Sequence, residues 1–370
     1  MGSDSRARRG LRALAVTTVS SLLIVGAYTG AAGAASPTNT QRGQQGAQWL
    51  ANQIKANGGV LQSFGKPDPV DTAYAVIGLR ANGVDKPASD QAIAALKTRI
   101  DTDLETGGHA SPGAIAQYVL AALADGQDPR HFGGTGAQNN LVNRLLATAR
   151  TSGADKGLFG AAEPTFDGAF RQGLALAALE AAGVSAHDAR VSAGIAWLTK
   201  QQCANGLWES YRTRPAAVRC VPANPKTFTG PDTNSTSMAV QGLAAWGKFP
   251  KQNTVLGSLK QSQSSDAGFP FVAAKNQPSD PNSTALVIQA LLAEKSAPSA
   301  PTWKKGTKTP YTALAGYQLS CTSPDFGAFD FPGSTAANVF ATVQSVPAMA
   351  GKKLPVASSA ASVVLGLTPC

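Results

Sequence analysis

One segment recurs along the whole chain and constrains the fold more than any other feature. Clear copies occur at 71–79 (DTAYAVIGL), 234–246, 282–294 and 334–342, and weaker copies at 115–123 and 171–179. Aligned on starts at 71, 115, 171, 235, 283 and 334, all six copies carry a small residue at the eighth position: Gly78, Ala122, Ala178, Gly242, Ala290 and Ala341. Six copies of one unit predict a repeat architecture in which neighbouring helices pack closely.

The repeated segments read as buried helices, because their apolar residues continue nearly all round the helix. Asp71, Ser235, Ser283 and Ser334 stand where an N-cap oxygen would accept the first free N–H groups. A more amphipathic segment precedes each copy, so the chain predicts six helix pairs. An inner ring of apolar helices inside an outer ring of amphipathic ones gives an all-α fold, an α6/α6 toroid of about twelve helices. We expect it over residues 35–356, followed by a tail at 357–370.

The stretch WLTKQQCANGLW, at 197–208, fits the end of an outer helix and a turn. Trp197 packs on the outer helix, Gln202 caps backbone groups, Gly206 ends the helix, and Trp208 folds back to fill the gap. We therefore predict a structural role for this stretch.

Residues 1–34 have the pattern of an export signal: four arginines, an apolar run and a cleavage motif at Ala32-Gly33-Ala34. Without its four Arg and one Asp, the totals of 32 basic and 22 acidic residues fall to 28 and 21, a net charge of +7. The charges are scattered, which argues against nucleic acid as a partner. We expect a secreted monomer with no stable membrane span.

Four cysteines remain in the exported chain, which favours two disulfides over free thiols. Cys203 and Cys220 flank one insertion, so a local bond is the natural pairing, and Cys321 with Cys370 would then tie down the tail. Four cysteines allow three pairings in principle. No metal site is predicted, because the cysteines lack zinc-ligand spacing and His109, His131 and His187 are isolated.

The Q-x3-G-x-W unit at 202–208 and the D-T-A and N-S-T helix starts resemble repeats of the terpenoid-cyclase and protein-prenyltransferase superfamily, over residues 40–350. Within it, segments 71–79, 283–293 and 334–356, with a later Cys370, are similar to the α-domain of the intrinsic factor and transcobalamin family. The resemblance implies a toroid that holds a small, partly apolar ligand, either cobalamin-like or isoprenoid-like. It makes a corrinoid the only cofactor to consider.

The motifs of the enzyme branches are missing from the sequence. There is no D-x-D-D acid and no C-G-E-Q thioester run, and Asp232-Thr-Asn234 lacks the cysteine of a prenyltransferase zinc site. We therefore predict no catalytic residues and favour a binding protein. Two alternatives stay open: a cyclase-like or prenyltransferase-like enzyme with a degenerate acid site, and a protein that contacts the cell wall or glycans.

In such a toroid, the starts of the inner helices meet at one mouth, where a concave pocket would form. The small-molecule ligand or cell-envelope component should bind there. The residues predicted to contact it are Asp71, Thr72, Gln117, Asp167, Arg171, Gln172, Asp232, Asn234, Asp280, Asn282 and Phe329. Each also has an alternative structural role: Asp71, Asp232 and Asp280 as helix caps, and Asp167 with Arg171 as an ion pair.

Overall fold

A computed structural model describes residues 36–106, 108–161, 168–209, 220–368 and 370. The predicted signal segment 1–34 lies outside this part of the chain. The described residues form twelve α-helices. They are α1 Asn39–Ala56, α2 Pro69–Asn82, α3 Lys86–Lys97, α4 Pro112–Ala124, α5 Leu141–Ala147, α6 Ala169–Ala181, α7 Ala189–Lys200, α8 Thr233–Ala245, α9 Gln252–Ser262, α10 Pro281–Ala293, α11 Pro310–Ala315 and α12 Val339–Met349.

The even-numbered helices form a closed ring: α2 packs on α4, then follow α6, α8, α10 and α12, and α12 returns to α2. Five odd-numbered helices pack on the outside of this ring: α1 on α12 and α2, α3 on α2, α5 on α4, α7 on α6, and α11 on α10. The six inner helices are buried over most of their surface. The predicted α6/α6 toroid is confirmed.

Strand structure in the described chain is limited to three short antiparallel pairs. They are β1 Gln62–Ser63 with β2 Lys66–Pro67, β3 Glu105–Thr106 with β4 His109–Ala110, and β5 Trp208–Glu209 with β6 Pro231–Asp232. Two short 3-10 helices, Ala137–Asn139 and Pro301–Trp303, complete the elements. No helix among the described residues is long and apolar enough to cross a bilayer.

Four inner helices start with the same device. An Asp or Asn caps the helix by accepting the N–H three residues on, and a Thr follows four residues after the cap. The cap–Thr pairs are Asp68–Thr72, Asp232–Thr236, Asp280–Thr284 and Asn338–Thr342. Each Thr hydroxyl accepts the N–H of an apolar residue from the preceding loop, at 2.9–3.0 Å. These bonds join every such helix start to the turn before it.

The observed caps differ from all four residues predicted to cap these helices. Asp71 does not cap α2; it lies at the third helical position, and Asp68 is the cap, just as Ser235 and Ser283 lie three residues after their caps. Ser334 precedes α12, which starts at Val339 after Asn338. The prediction placed the helix start at Ser334-Thr335-Ala336 because this segment has the same sequence as Ser283-Thr284-Ala285.

The sixth repeat is therefore shifted by seven residues, and its small residue at the eighth position is Ala348 rather than Ala341. The reason for a small residue at the eighth position of the repeat is visible at Gly242, where an added Cβ would lie 2.3 Å from the carbonyl oxygen of Gly173. At Gly78, an added Cβ would lie 3.0 Å from Val346. Adjacent inner helices touch at these points, as predicted.

The 197–208 stretch has the predicted structural role. Gln202 Nε2 donates to the carbonyls of Gly206 and Pro250, and Trp208 Nε1 donates to the carbonyl of Leu198. Trp208 is fully buried. The role of Gly206 differs from the prediction, since α7 already ends at Lys200. Gly206 has a φ of 83°, and an added Cβ would lie 2.9 Å from the Val255 nitrogen on α9, so glycine is needed for close approach.

Both predicted disulfides are present. Cys203 is bonded to Cys220 and Cys321 to Cys370. The second bond fixes the end of the chain, because Cys370 also donates its N–H to the carbonyl of Cys321. The prediction that the tail is tied to the last repeat is confirmed.

Candidate functional site

The inner-ring mouth carries an acidic pair at the start of α2. Asp68 caps the helix, and Asp71 follows in the first turn with 7% of its surface exposed. Burial, with the neighbouring Asp68 carboxylate as a second cause, raises the pKa of Asp71 to about 7. A second negative charge this close to the Asp68 carboxylate is disfavoured. Near neutral pH, Asp71 can therefore act as a hydrogen-bond donor or an acceptor.

A cavity of about 640 Å³ opens beside this pair. It is lined by residues 62–64 of the β1–β2 hairpin, by Asp68, Val70 and Asp71 of the α2 start, by Phe331, and by residues 337–340 at the start of α12. Since α2 and α12 are the first and last inner helices, the cavity lies at the seam where the ring closes.

Three phenylalanines on the cavity wall are unusually exposed: Phe64 completely, Phe331 by 44% and Phe340 by 49%. Large apolar side chains that converge at a concave surface are a usual mark of a binding site.

Phe64 is also held in an unfavourable backbone conformation. It occupies the tip of the β1–β2 hairpin with a φ of 50°, followed by Gly65 at 72°. A tight hairpin tip of this kind favours Asn, Asp or Gly at the first position, because a Cβ is strained there. With its side chain fully exposed, Phe64 gains no packing in return.

Two tyrosines on the inner helices adjoin the acidic pair. Tyr74 is one turn after Asp71, almost fully buried, and its hydroxyl has no hydrogen-bond partner within the described chain. Tyr118 on α4 donates its hydroxyl to Asp103, which Arg99 holds through two bonds. Burial, followed by the nearby carboxylates, raises the pKa of both phenols. Both phenols therefore remain protonated at neutral pH.

Of the predicted ligand contacts that the structure describes, only Asp71 lines this cavity. Three others have structural roles. Thr72 accepts the N–H of Leu61, Gln172 bonds the backbone at Gly157, Phe159 and Gly194, and Phe329 is fully buried in the core. The polar groups or rings of these three are engaged inside the repeat, and their contact with a ligand stays a prediction.

The remaining predicted residues lie elsewhere around the ring. Asp232 and Asp280 cap α8 and α10, and Asn282 Nδ2 donates to Phe340 O and Gln344 Oε1. Arg171 lies over Gly113, whose added Cβ would be 3.3 Å from its side chain. The others are Asn234, half-buried on α8, Gln117, a buried residue of α4, and Asp167, which lies outside the described residues.

Sequence reasoning missed Asp68, Phe64 and Phe340. The signal for Asp68 was present, since Asp or Asn followed by Thr four residues later recurs at four helix starts. Phe64 had a weaker signal, a Phe-Gly pair between two short polar segments. Phe340 was not identified because the sequence alignment placed the sixth repeat seven residues too early.

The described residues that line the cavity offer no nitrogen or sulfur ligand for a metal: their polar groups are carboxyl, amide and hydroxyl. These residues do not fit coordination to a corrinoid cobalt. In the described residues, the only cluster with metal-ligand proximity is Cys203, Glu209 and Cys220. Its cysteines are consumed by a disulfide.

Comparison with known proteins gives no match to a family model and none to a curated protein. Solved structures do match. An unsaturated glucuronyl hydrolase from Bacillus sp. GL1 is 13% identical over 84% of this chain and 96% of its own, with a TM-score of 0.57. A type II terpene cyclase from Scytonema is 15% identical over 84% of this chain and 98% of its own, with a TM-score of 0.52. Protein geranylgeranyltransferase-I from Candida albicans is 11% identical over 82% of this chain and 89% of its own, with a TM-score of 0.53.

The chain has the α/α-toroid fold of terpenoid cyclases and protein prenyltransferases. The same toroid also occurs in the glucuronyl hydrolase, so at these identities the comparison establishes the fold and leaves the chemistry to the site.

Proposed function

We propose that this toroid binds a small, partly apolar ligand at the mouth of its inner ring, in the cavity between the starts of α2 and α12. The observation that carries the proposal is the combination of three exposed phenylalanines with a buried, protonatable carboxyl in one 640 Å³ space. The rings supply apolar contact area, and the Asp68–Asp71 pair supplies one oriented polar contact.

An isoprenoid-like ligand suits this lining best, because hydrocarbon surface would cover the three rings while a hydroxyl or similar group meets the carboxyl pair. A cobalamin-like ligand, which the sequence resemblance suggests, would have to bind here without a protein ligand to its cobalt. We further propose that the protein works outside the cell as a monomer. Its two disulfides are compatible with an oxidising compartment.

The test begins with thermal stabilisation of the purified protein by an isoprenoid alcohol, a corrinoid and a uronic-acid oligosaccharide. The compound that stabilises it is then titrated by calorimetry against Phe64→Ala. A matched control is Phe228→Ala: Phe228 is also exposed, at 59%, has a φ of 53° and does not line the cavity.

Burying a phenylalanine contributes about 1.5–3 kcal/mol, so we expect Phe64→Ala to weaken binding roughly tenfold or more. Phe228→Ala should bind as the parent does. Equal affinity of the parent and Phe64→Ala would refute the cavity as the ligand site.

A second candidate function is an enzyme that uses Asp71 as an acid. It is favoured by the pKa of about 7, since a general acid works best when its pKa is close to the working pH. In this case Asp71→Asn should abolish turnover of the bound compound while the complex still forms. Asp90→Asn, which changes an exposed carboxylate on α3, is the control. Binding without any product in the parent protein would leave the first function and reject this one.

A further inference from the structure

The C-terminal tail closes the end of the toroid opposite the mouth. After α12, the N–H of Leu354 donates to Gln241 Oε1 on α8, and Val363 pairs with Val84 after α2. Farther along, Leu365 donates its N–H to Gln48 Oε1 on α1. The tail therefore crosses the carboxyl ends of several inner helices before it reaches its disulfide.

Arg80, in the last turn of α2, lies under this tail with 1% of its surface exposed. One of its nitrogens, Nη2, donates to the carbonyl of Ala361, at 3.2 Å. Nε and Nη1 have no hydrogen-bond partner among the residues that the structure describes. The nearest acid is Asp125, with Oδ1 4.0 Å from Nε, and that oxygen already accepts the hydroxyl of Ser89. A buried guanidinium with two nitrogens that donate no hydrogen bond is costly unless something else binds it.

A cleft of about 500 Å³ opens next to Arg80. Its polar lining comes from the tail: Lys352, Lys353, Ser358 and Ser359. Lys352 is exposed and Lys353 half-buried, and neither forms an ion pair with any described residue. The cleft thus combines three cations with two hydroxyls, and each of these groups is a hydrogen-bond donor.

The local charges do not cancel. Asp125 offsets one of the three cations, and the carboxyl ends of α2 and α12 together contribute roughly one negative charge through their dipoles. About one positive charge is left over. This excess separates the cleft from an ordinary helix end neutralised by a basic residue.

We propose that this cleft is a second binding site, which takes a phosphate- or sulfate-type oxyanion. Lys352 and Lys353 would contact the anion directly, the serine hydroxyls would donate to its remaining oxygens, and Arg80 would lie at the base of the cleft as the fixed charge. The anion can be free phosphate or the phosphate group of an ester at the cell envelope, because both present the same oxygens. This site is independent of the function proposed for the mouth.

Calorimetric titration of the full chain with sodium phosphate and with sodium sulfate, at ionic strength matched by sodium chloride, tests the proposal. We expect saturable binding of one anion per chain. The double variant Lys352→Ala/Lys353→Ala should weaken it about tenfold or more, since a charged hydrogen bond contributes about 1.5–3 kcal/mol. Lys304→Ala/Lys305→Ala removes two exposed lysines elsewhere and should leave the affinity unchanged.

Arg80→Lys keeps the charge but loses the forked donor geometry, and we expect several-fold weaker binding in a protein that still unfolds cooperatively. Glycerol phosphate and vesicles containing phosphatidic acid distinguish free from esterified phosphate. Two results would overturn the proposal: no saturable heat with phosphate or sulfate, or equal losses in the two double-lysine variants. In either case the unused Arg80 donors are hydrated and the cleft holds water.

Discussion

The start of α2 and the starts of α8 and α10 are built on one plan, yet only the first lines the cavity. All three have an Asp cap and a Thr four residues later. The residue three after the cap is buried in each, but it is serine at 235 and 283 and aspartate at 71. One change in a repeated device thus places a second carboxyl beside the capping one.

This comparison separates capping from function. A cap accounts for the first carboxylate of each start, because it satisfies free N–H groups of the helix. It does not account for Asp71, whose burial next to Asp68 opposes ionisation. Groups held at such a cost are frequent at functional sites. We therefore place the ligand at α2 and assign the α8 and α10 starts to the framework.

The largest expected effect is a loss of unfolding free energy from a change in the framework. Trp208→Ala removes a fully buried indole and its bond to Leu198, and should cost about 3–5 kcal/mol of unfolding free energy. Phe64→Ala, on the α2 side, should leave the melting temperature almost unchanged because its ring is completely exposed. Thermal and urea unfolding of both variants checks this. A stable Trp208→Ala protein that has lost only ligand affinity would reverse the assignment of the two regions.

A smaller effect should follow from Asp71→Ser, which gives α2 the residue of α8 and α10. The folded pKa of Asp71 is about 7 and its ordinary value is 3.8. The folded chain therefore binds the extra proton between these values, and the parent loses stability as pH rises from about 4 to 7.

Asp71→Ser does not lose stability between about pH 4 and 7 in this way, because it has no carboxyl group at position 71. It should match the parent near pH 4 and exceed it above pH 7, by on the order of a few kcal/mol at about 1.4 per pKa unit. Urea unfolding at about pH 4, 6 and 8 measures the difference. A constant gap between the two proteins at all three pH values would show that Asp71 ionises as freely as an exposed aspartate.

The smallest effect concerns the caps themselves. Asp232→Ala should cost about 0.5–2 kcal/mol. Asp68→Ala should cost less at pH 8, because losing the cap also removes the carboxylate that opposes ionisation of Asp71. Unfolding of both variants by urea at pH 8 compares them. If Asp68→Ala is the more destabilised, the two carboxyls do not repel each other.

Much of the framework could be predicted from the sequence, because its signals are local. Spacing and composition were enough to predict the apolar helix repeats, the Cys203–Cys220 and Cys321–Cys370 bonds and the role of Trp208. The register of α12 could not be taken from matching letters, since Ser334-Thr335-Ala336 imitates a helix start that its surroundings do not support.

The site was harder to predict because it depends on which helices meet. The prediction spread the ligand contacts evenly over the mouth, as ideal sixfold geometry suggests. The cavity we propose lies at the α2–α12 seam, where the hairpin tip with Phe64 meets Phe331 of the loop before α12 and Phe340 in the first turn of α12. Only the tertiary structure shows that the side chains of Thr72 and Gln172 form their hydrogen bonds inside the repeats.

The central claim, that the α2 start differs from its sister starts by holding a protonatable carboxyl for a ligand, is tested most directly by carboxyl carbon-13 NMR. The side-chain resonances of the aspartates are followed from about pH 3 to pH 9 in the parent and in Asp71→Asn, which assigns the signal. We predict one aspartate with a midpoint near pH 7, absent from the variant and shifted when ligand binds. If every aspartate titrates below about pH 5, Asp71 is an ordinary carboxylate and the account is contradicted.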